Sequence, residues 1–171
     1  MTGSKDDTLR FEIVKSAKGD IPSIVEIINE EAARSGAVLT VDSQKVKRWI
    51  DSGISLLAKS DGKIIGHMAA NRWPISGMVE LRSSVVRPEY RGKGVSSTLT
   101  KGVIAQIGKK YGKPSLVAFI NKAGNGRGIL EALGFRETDY ESVPRELFSI
   151  GPKYRGKKEF GYRILVLRHR E

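Results

Sequence analysis

Cysteine is missing altogether from these 171 residues, which excludes a disulfide framework and a thiolate zinc site. Histidine is nearly missing. His67 and His169 are too few and too far apart to suggest a metal site, so core or surface roles are expected for both. Aromatic residues make up 7% of the chain, which is little for a surface that would stack nucleic-acid bases. No apolar run is long enough to span a bilayer, although 39% of residues are hydrophobic. The start, Met1-Thr2-Gly3-Ser4-Lys5-Asp6-Asp7, lacks the apolar segment of a secretory signal, so the cytoplasm is the default expectation. Internal repeats and low-complexity linkers are also lacking. The length suits one domain with a substantial core, taken as residues 9–171 after a flexible tail, residues 1–8.

Acids, 19 of them, are outnumbered by 30 lysines and arginines. The net charge of +11 asks for a polyanionic partner or substrate, and where the charge sits matters more than its sum. Between Arg82 and Lys113 eight basic residues face one acid, Glu89. A second run, Lys153 to Arg170, carries seven basic residues against Glu159 alone. It reads either as a solvated surface or as a nucleic-acid patch.

What is present is organised around Met78 to Gly112: an alternating strand, a basic turn with two glycines, then an amphipathic helix. From Val95 the apolar positions Val95, Leu99, Val103 and Ile107 recur at helical spacing, so the turn opens a helix with one buried stripe. The first N–H groups of a helix have no intrahelical partners and sit at the positive end of its dipole, where an anion is stabilised. Gly92 and Gly94 allow close backbone approach to such an anion, and Arg91 and Lys93 add charge beside it. An ordinary strand-to-helix turn with solvated basic residues is the alternative. Two familiar phosphate loops do not fit, because Gly94 rather than Ser or Thr follows Lys93, and Ser97 stands where the dinucleotide fingerprint needs glycine.

The rest of the chain supplies a regular frame. Leu9, Phe11 and Ile13 alternate with polar neighbours as in a half-buried strand. A helix starts at Asp20, tolerates Pro22 in its first turn and stops at Ser35-Gly36. A shorter helix runs from Asp42-Ser43 to Ser52-Gly53 around Val46, Trp49 and Ile50. Ile54 to Lys59 and Lys63 to Ala70 form a hairpin across Asp61-Gly62, a dipeptide suited to positive φ. Further strands are expected at Ser115 to Ile120, Phe135 to Thr138 and Tyr162 to Leu167, with a short helix at Ile129 to Leu133 and a long loop from Tyr140 to Gly161.

Val86-Arg87-Pro88-Glu89-Tyr90 followed by Arg91, Gly94 and Ser96 resembles the acyl-CoA signature of the GCN5-related N-acetyltransferases (GNAT), written Arg/Gln-x-x-Gly-x-Gly/Ala. Ser96 departs from the family in the last small-residue slot. Leu133-Gly134-Phe135 also matches the family, and the order of expected elements is similar to its fold from end to end. The resemblance implies an α/β (α+β) fold: a mixed, mostly antiparallel, twisted sheet of about seven strands with about four helices, splayed between the fourth and fifth strands. It further implies transfer of an acetyl group from acetyl-CoA to a primary amine by direct attack in a ternary complex, with no metal. Within the family, Asp20-Ile21-Pro22-Ser23-Ile24-Val25, Gly36 to Val41 and Glu80-Leu81-Arg82-Ser83 resemble the acetyltransferase domain of N-acetylglutamate synthases. The acceptor is thus an amino acid such as glutamate or, alternatively, a protein or peptide amine. No membrane is implied, and a homodimer is open. A basic nucleic-acid-associated module with a vestigial acyl-CoA site is the rival from another class.

Carried over by position, the resemblance gives acetyl-CoA to Val85, Val86, Arg91, Gly92, Lys93, Gly94, Val95 and Ser96, and gives its pantetheine arm to Asn121, with Asn125 competing. Glu80, eleven residues before Arg91, inherits the role of general base. Strand alternation puts Glu80, Arg82, Ser84 and Val86 on one face and Leu81, Ser83 and Val85 on the other, so a pairing with Arg82 that weakens the base is the alternative. A strand N–H at Val86 or its neighbours would take the oxyanion. Leu130 stands where the family often has a tyrosine acid, leaving Tyr140 and Tyr154 as spare candidates. Trp73 lines the acceptor pocket or packs in the core.

Overall fold

The computed structural model describes residues 9–121, 126–149 and 162–168. The tail (1–8), Asn125, Tyr154, His169 and most of the second basic run lie outside the described residues.

In chain order the elements are β1 (Glu12–Lys15), α1 (Ile21–Ser35), α2 (Ser43–Asp51), β2 (Ser55–Ser60), β3 (Lys63–Arg72), β4 (Val79–Val86), α3 (Val95–Tyr111), β5 (Leu116–Ile120), α4 (Arg127–Ala132), β6 (Arg136–Thr138), α5 (Glu146–Ser149) and β7 (Arg163–Leu167). The boundaries follow local chemistry. Gly36, at φ 63°, closes α1 by sending its N–H to the Ala32 carbonyl. The Asp42 side chain caps α2 by accepting from the Lys45 N–H at 2.7 Å. Asp61 and Gly62 both have positive φ, as the tight turn between β2 and β3 requires. Part of the segment expected as a long loop instead forms the single turn α5, whose Leu147 is fully buried.

The seven strands make one sheet in the order β1-β2-β3-β4-β5-β7-β6. Every neighbouring pair is antiparallel except β4 and β5, which run parallel. That parallel ladder registers only Val79 with Leu116, Glu80 with Val117 and Leu81 with Ala118. Beyond Leu81, β4 continues to Val86 with β3 alone on its ladder, and the sheet is splayed at that point.

Three apolar clusters hold the layers. α3 buries Val95, Leu99, Val103 and Ile107 against Leu56, Ile65, Leu81 and Val86. On the opposite face α1 and α2 bury Ile24, Ile27, Ile28, Val46 and Trp49 against Leu57, Ala69 and Val85. A third cluster joins Trp73 and Met78 to Val117, Leu147 and Val166.

The expected alternation along β4 fails after Arg82. Ala69 pairs with Arg82 and His67 with Val85, so β4 carries one residue more than β3 over this step. The surplus is absorbed by a β-bulge with Ser83 at φ 54°. Val86 therefore joins Leu81 on the α3 face, while Val85 shares the α1–α2 face with Glu80 and Arg82, the reverse of a regular strand.

The fit of α3 on the sheet depends on Gly66, where an added Cβ would lie 3.0 Å from Leu99 Cδ1, 3.1 Å from the Val85 carbonyl oxygen and 3.3 Å from Val95 Cγ1. Because one of these neighbours is backbone, Gly66→Ala should destabilise the fold by about 1–3 kcal/mol. Urea denaturation checks this, and an unchanged midpoint would contradict it.

Candidate active site

The phosphate turn lies where β4 hands over to α3. Gly92 and Gly94 have φ of 74° and 80°, conformations in which a Cβ is strained, and Gly94 is the N-cap of α3. With no capping side chain, the first amides of α3 face the same side as the turn. Val95 anchors the helix start in the core, whereas Gly92, Lys93 and Gly94 are exposed and Ser96 is half-buried. Lys93 Nζ lies 6.0 Å from the Tyr90 ring centre.

Arg91 is held back toward α1 rather than aimed into the turn. Its Nε donates to the Val86 carbonyl at 2.9 Å, and its Nη2 pairs with Glu31 at 2.6 Å. Glu31 also takes Arg34 and the Ser35 hydroxyl. Arg87 pairs with Glu30 at 3.0 Å and approaches Glu26 at 3.9 Å. The acids that balance the basic turn thus come from α1, 57 and 60 residues away, and no local pattern pointed to them. Between α1 and the end of β4 a cleft of about 230 Å³ is lined by Ile27, Glu30, Glu31, Arg34, Val85, Val86, Arg87 and Pro88.

Glu80 is buried, with 2% of its surface exposed. Its Oε2 accepts the Trp73 indole N–H at 3.2 Å and lies 3.4 Å from Arg82 Nη2. Trp73 is itself 2% exposed, so it packs in the core and orients the carboxylate from there. The Trp73 loop is pinned in turn by Glu146, which accepts from the Ile75 and Ser76 N–H groups at 3.1 and 2.5 Å. Burial opposes the Glu146 charge, but these bonds and the Ser76 side chain hold its pKa below the ordinary carboxylate value.

Arg82 extends from Glu80 to the face of Trp49, 5.8 Å from the ring centre, and Trp49 stacks on His67 at 5.9 Å. His67 is fully buried, with Nε2 3.0 Å from the Ser55 hydroxyl and Nδ1 3.2 Å from the Ser83 carbonyl. Asn121, across the splay, donates to the Gly36 carbonyl at 2.9 Å and so ties β5 to the loop between α1 and α2. Leu130 is buried in the α3-face core and offers no proton. Tyr140 donates its hydroxyl to the Tyr162 carbonyl at 2.7 Å, and burial pushes its pKa up. In the second basic run, Arg163 pairs with Glu137 and Arg168 donates to the Ser142 carbonyl.

Among the described residues no group of three metal-ligating side chains comes together, and no helix is long and apolar enough to cross a membrane. On β4, Glu80 lies within the ladder to β5 while Val85 and Val86 lie beyond its end, with the glycine turn after the strand and Asn121 just past β5. Sequence reasoning missed Glu31, Glu146 and the bulge at Ser83.

The family model described as Acetyltransferase (GNAT) family matches residues 22–135. No curated protein matches the chain. Among solved structures, N-acetylglutamate synthase from Neisseria gonorrhoeae, complexed with coenzyme A and N-acetyl-glutamate, is 21% identical with a TM-score of 0.76. That match covers 94% of this chain, which spans only 36% of the synthase chain. The yncA protein of Salmonella typhimurium, with its cofactor acetyl-CoA, is 22% identical with a TM-score of 0.71, each chain covered to 95%. Ribosomal-protein-alanine N-acetyltransferase from Brucella melitensis is 22% identical with a TM-score of 0.70, covering 92% of this chain and 99% of its own. At these identities the likeness is one of fold.

Burial holds the His67 pKa at about 4, against an ordinary value of 6.5. The folded pKa is depressed, so between pH 6.5 and 4 the unfolded chain binds the extra proton and stability falls as pH falls. Over that window the loss attributable to His67 should approach about 3 kcal/mol. Urea midpoints from pH 7 to 4, compared with those of His67→Asn, isolate it, because the variant should lose that part of the slope.

Proposed function

This chain belongs to the acetyltransferase (GNAT) family, and on that premise we propose that residues 9–171 act as one domain that moves an acetyl group from acetyl-CoA to a primary amine by direct attack in a ternary complex. The observation that carries the reading is the early end of the β4–β5 ladder at Leu81, beside a strand end that runs directly into the Gly92–Gly94 turn. An extended acyl-pantetheine arm fits such a gap, since it can take backbone hydrogen bonds from the free side of β4 as a missing strand would.

In this reading the pyrophosphate takes the amides of Gly92, Gly94, Val95 and Ser96, with Arg91 and Lys93 adding charge. Arg91 then exchanges Glu31 for phosphate. Val85, Val86 and Asn121 contact the arm. The amine nitrogen attacks the thioester carbonyl carbon, a β4 N–H at or next to Val86 takes the charge growing on oxygen, and the C–S bond breaks. Glu80 removes the amine proton directly or through one water; the Trp73 and Arg82 contacts fix its orientation, while the Arg82 pairing is the one expected to weaken it as a base. The leaving thiolate, with a thiol pKa near ~8.5, needs little help, which fits a buried Leu130 in place of an acid.

The acceptor is an amino acid such as glutamate. Support comes from Arg82, a guanidinium beside Glu80 with 14% of its side chain exposed, which suits a substrate that carries a carboxylate beside its amine if it exchanges its Glu80 contact for that carboxylate. An α-amino group, with pKa near ~7.7–8.0, also asks less of the base than a lysine near ~10.4. A protein or peptide amine is the competing acceptor, in line with the Brucella relative, a ribosomal-protein-alanine N-acetyltransferase. Free-thiol release with glutamate, other amino acids, polyamines and N-terminal or lysine peptides separates them. Turnover restricted to peptides would overturn the amino-acid acceptor.

Two substitutions test the machinery. A Cβ at Gly94 meets nothing within 4 Å, so Gly94→Val should fold with a loss of about 1–2 kcal/mol for its positive φ, yet lose acetyl-CoA binding. Unchanged affinity by calorimetry would sink the phosphate assignment. Glu80→Gln keeps an acceptor for the Trp73 N–H, so acetyl-CoA affinity should hold while turnover at pH 7 falls by roughly 10²- to 10⁴-fold. The deficit should shrink as pH approaches the amine pKa. Near-normal turnover at pH 7 would place the base elsewhere.

A further inference from the structure

We propose that His67, which the acetyl transfer itself leaves untouched, is the positioning residue that holds the β4 bulge in its working shape by donating Nδ1–H to the Ser83 carbonyl. The inference rests on the acetyl-transfer reading for its catalytic consequence, but not for its structural content.

A bulge turns part of a strand out of its ladder, and a buried carbonyl so released needs a new donor. His67 sits opposite Val85 at the edge of the bulge, with Nδ1 3.2 Å from the Ser83 oxygen. A carbonyl only accepts, so Nδ1 carries the proton. A neutral imidazole has no second proton, hence Nε2 accepts from the Ser55 hydroxyl at 3.0 Å. Ser55, having given its proton, accepts in turn from Ser16 Oγ at 2.8 Å. Every member of the relay Ser16, Ser55, His67, Ser83 then has one direction, and stacking on Trp49 holds the ring plane.

The relay matters because Ser83 is a non-glycine residue at φ 54°, a conformation that persists only where its surroundings impose it. The bulge brings Val85, not Val86, onto the Glu80 face and so decides where both backbone N–H groups point. A displacement of even 1 Å in an oxyanion donor lowers a rate by roughly 10²-fold. His67 thus acts on the reaction through Ser83, without touching acetyl-CoA or the amine.

His67→Leu keeps the volume and removes the donor, whereas His67→Asn restores an amide N–H near the Nδ1 position. In His67→Leu, kcat should fall by roughly 10- to 10²-fold while CoA affinity by calorimetry changes little. His67→Asn should recover most of that loss. Amide hydrogen exchange at Ser84, Val85 and Val86 should accelerate in His67→Leu and stay near wild type in His67→Asn. Ser55→Ala, which releases the tautomer, should show the same changes in smaller measure and decides the matter if His67→Leu does not fold. Wild-type kcat and wild-type exchange in a folded His67→Leu, or in Ser55→Ala, would overturn the proposal. The exchange experiment needs no turnover, so a protein that transfers no acetyl group would defeat the acetyl-transfer reading and leave the relay separately testable.

Discussion

The early end of the β4–β5 ladder, at Leu81, is the constraint that shapes the molecule around β4. The strand pairs with β5 for three residues, then parts from it. Its remaining length is held from one side only, by β3, and by the two helical layers above and below. Burial of Leu99, Val103 and Ile107 on one face and of Ile24, Ile28 and Trp49 on the other keeps the half-paired strand from collapsing onto β5. The packing of α3 and α1 is therefore what makes an open edge tolerable. Gly66 belongs to the same constraint, because it brings α3 close enough for its N-terminus to meet the end of β4.

Charge is arranged by the same layering. The basic turn would repel itself if it stood alone, and α1 supplies Glu26, Glu30 and Glu31 as a counter-row. Pairs of this kind at a partly exposed surface contribute little stability, on the order of 0–1 kcal/mol each. Their value lies in orientation: Arg91 is held between the Val86 carbonyl and Glu31, at the border of the glycine turn.

The polar groups buried near the splay form two connected sets. One runs from Glu146 through the loop that carries Trp73 to Glu80 and Arg82. The other runs from Ser16 through Ser55 and His67 to the bulge. Buried polar groups are costly unless each is partnered, and among the described residues no buried side-chain nitrogen or oxygen lacks a hydrogen bond. Satisfied networks of this sort fix a geometry more sharply than apolar packing does.

Periodicity and turn chemistry made most of the frame legible in the residues themselves. Asp61-Gly62 marked the hairpin, Gly36 and Asp42 the helix ends, and the Val95 to Ile107 stripe the helix behind the glycine turn, because each is a local rule about φ, capping or alternation. The spacing of Arg91, Gly94 and Ser96 likewise marks the turn. The bulge was not legible: Ser83 has no glycine to announce a positive φ, and alternation assigned Val85 and Val86 to the wrong faces. Nor could local pattern find Glu31 for Arg91, Glu146 for the Trp73 loop or Ser55 for His67. Those partners lie between 12 and 71 residues away along the chain, and only the packing of α1 and α5 against the sheet and the pairing of β2 with β3 within it bring them within hydrogen-bonding reach. Local rules set which segments fold and how they end, whereas the direction in which a buried polar side chain points is decided by whatever donor or acceptor the tertiary structure places beside it.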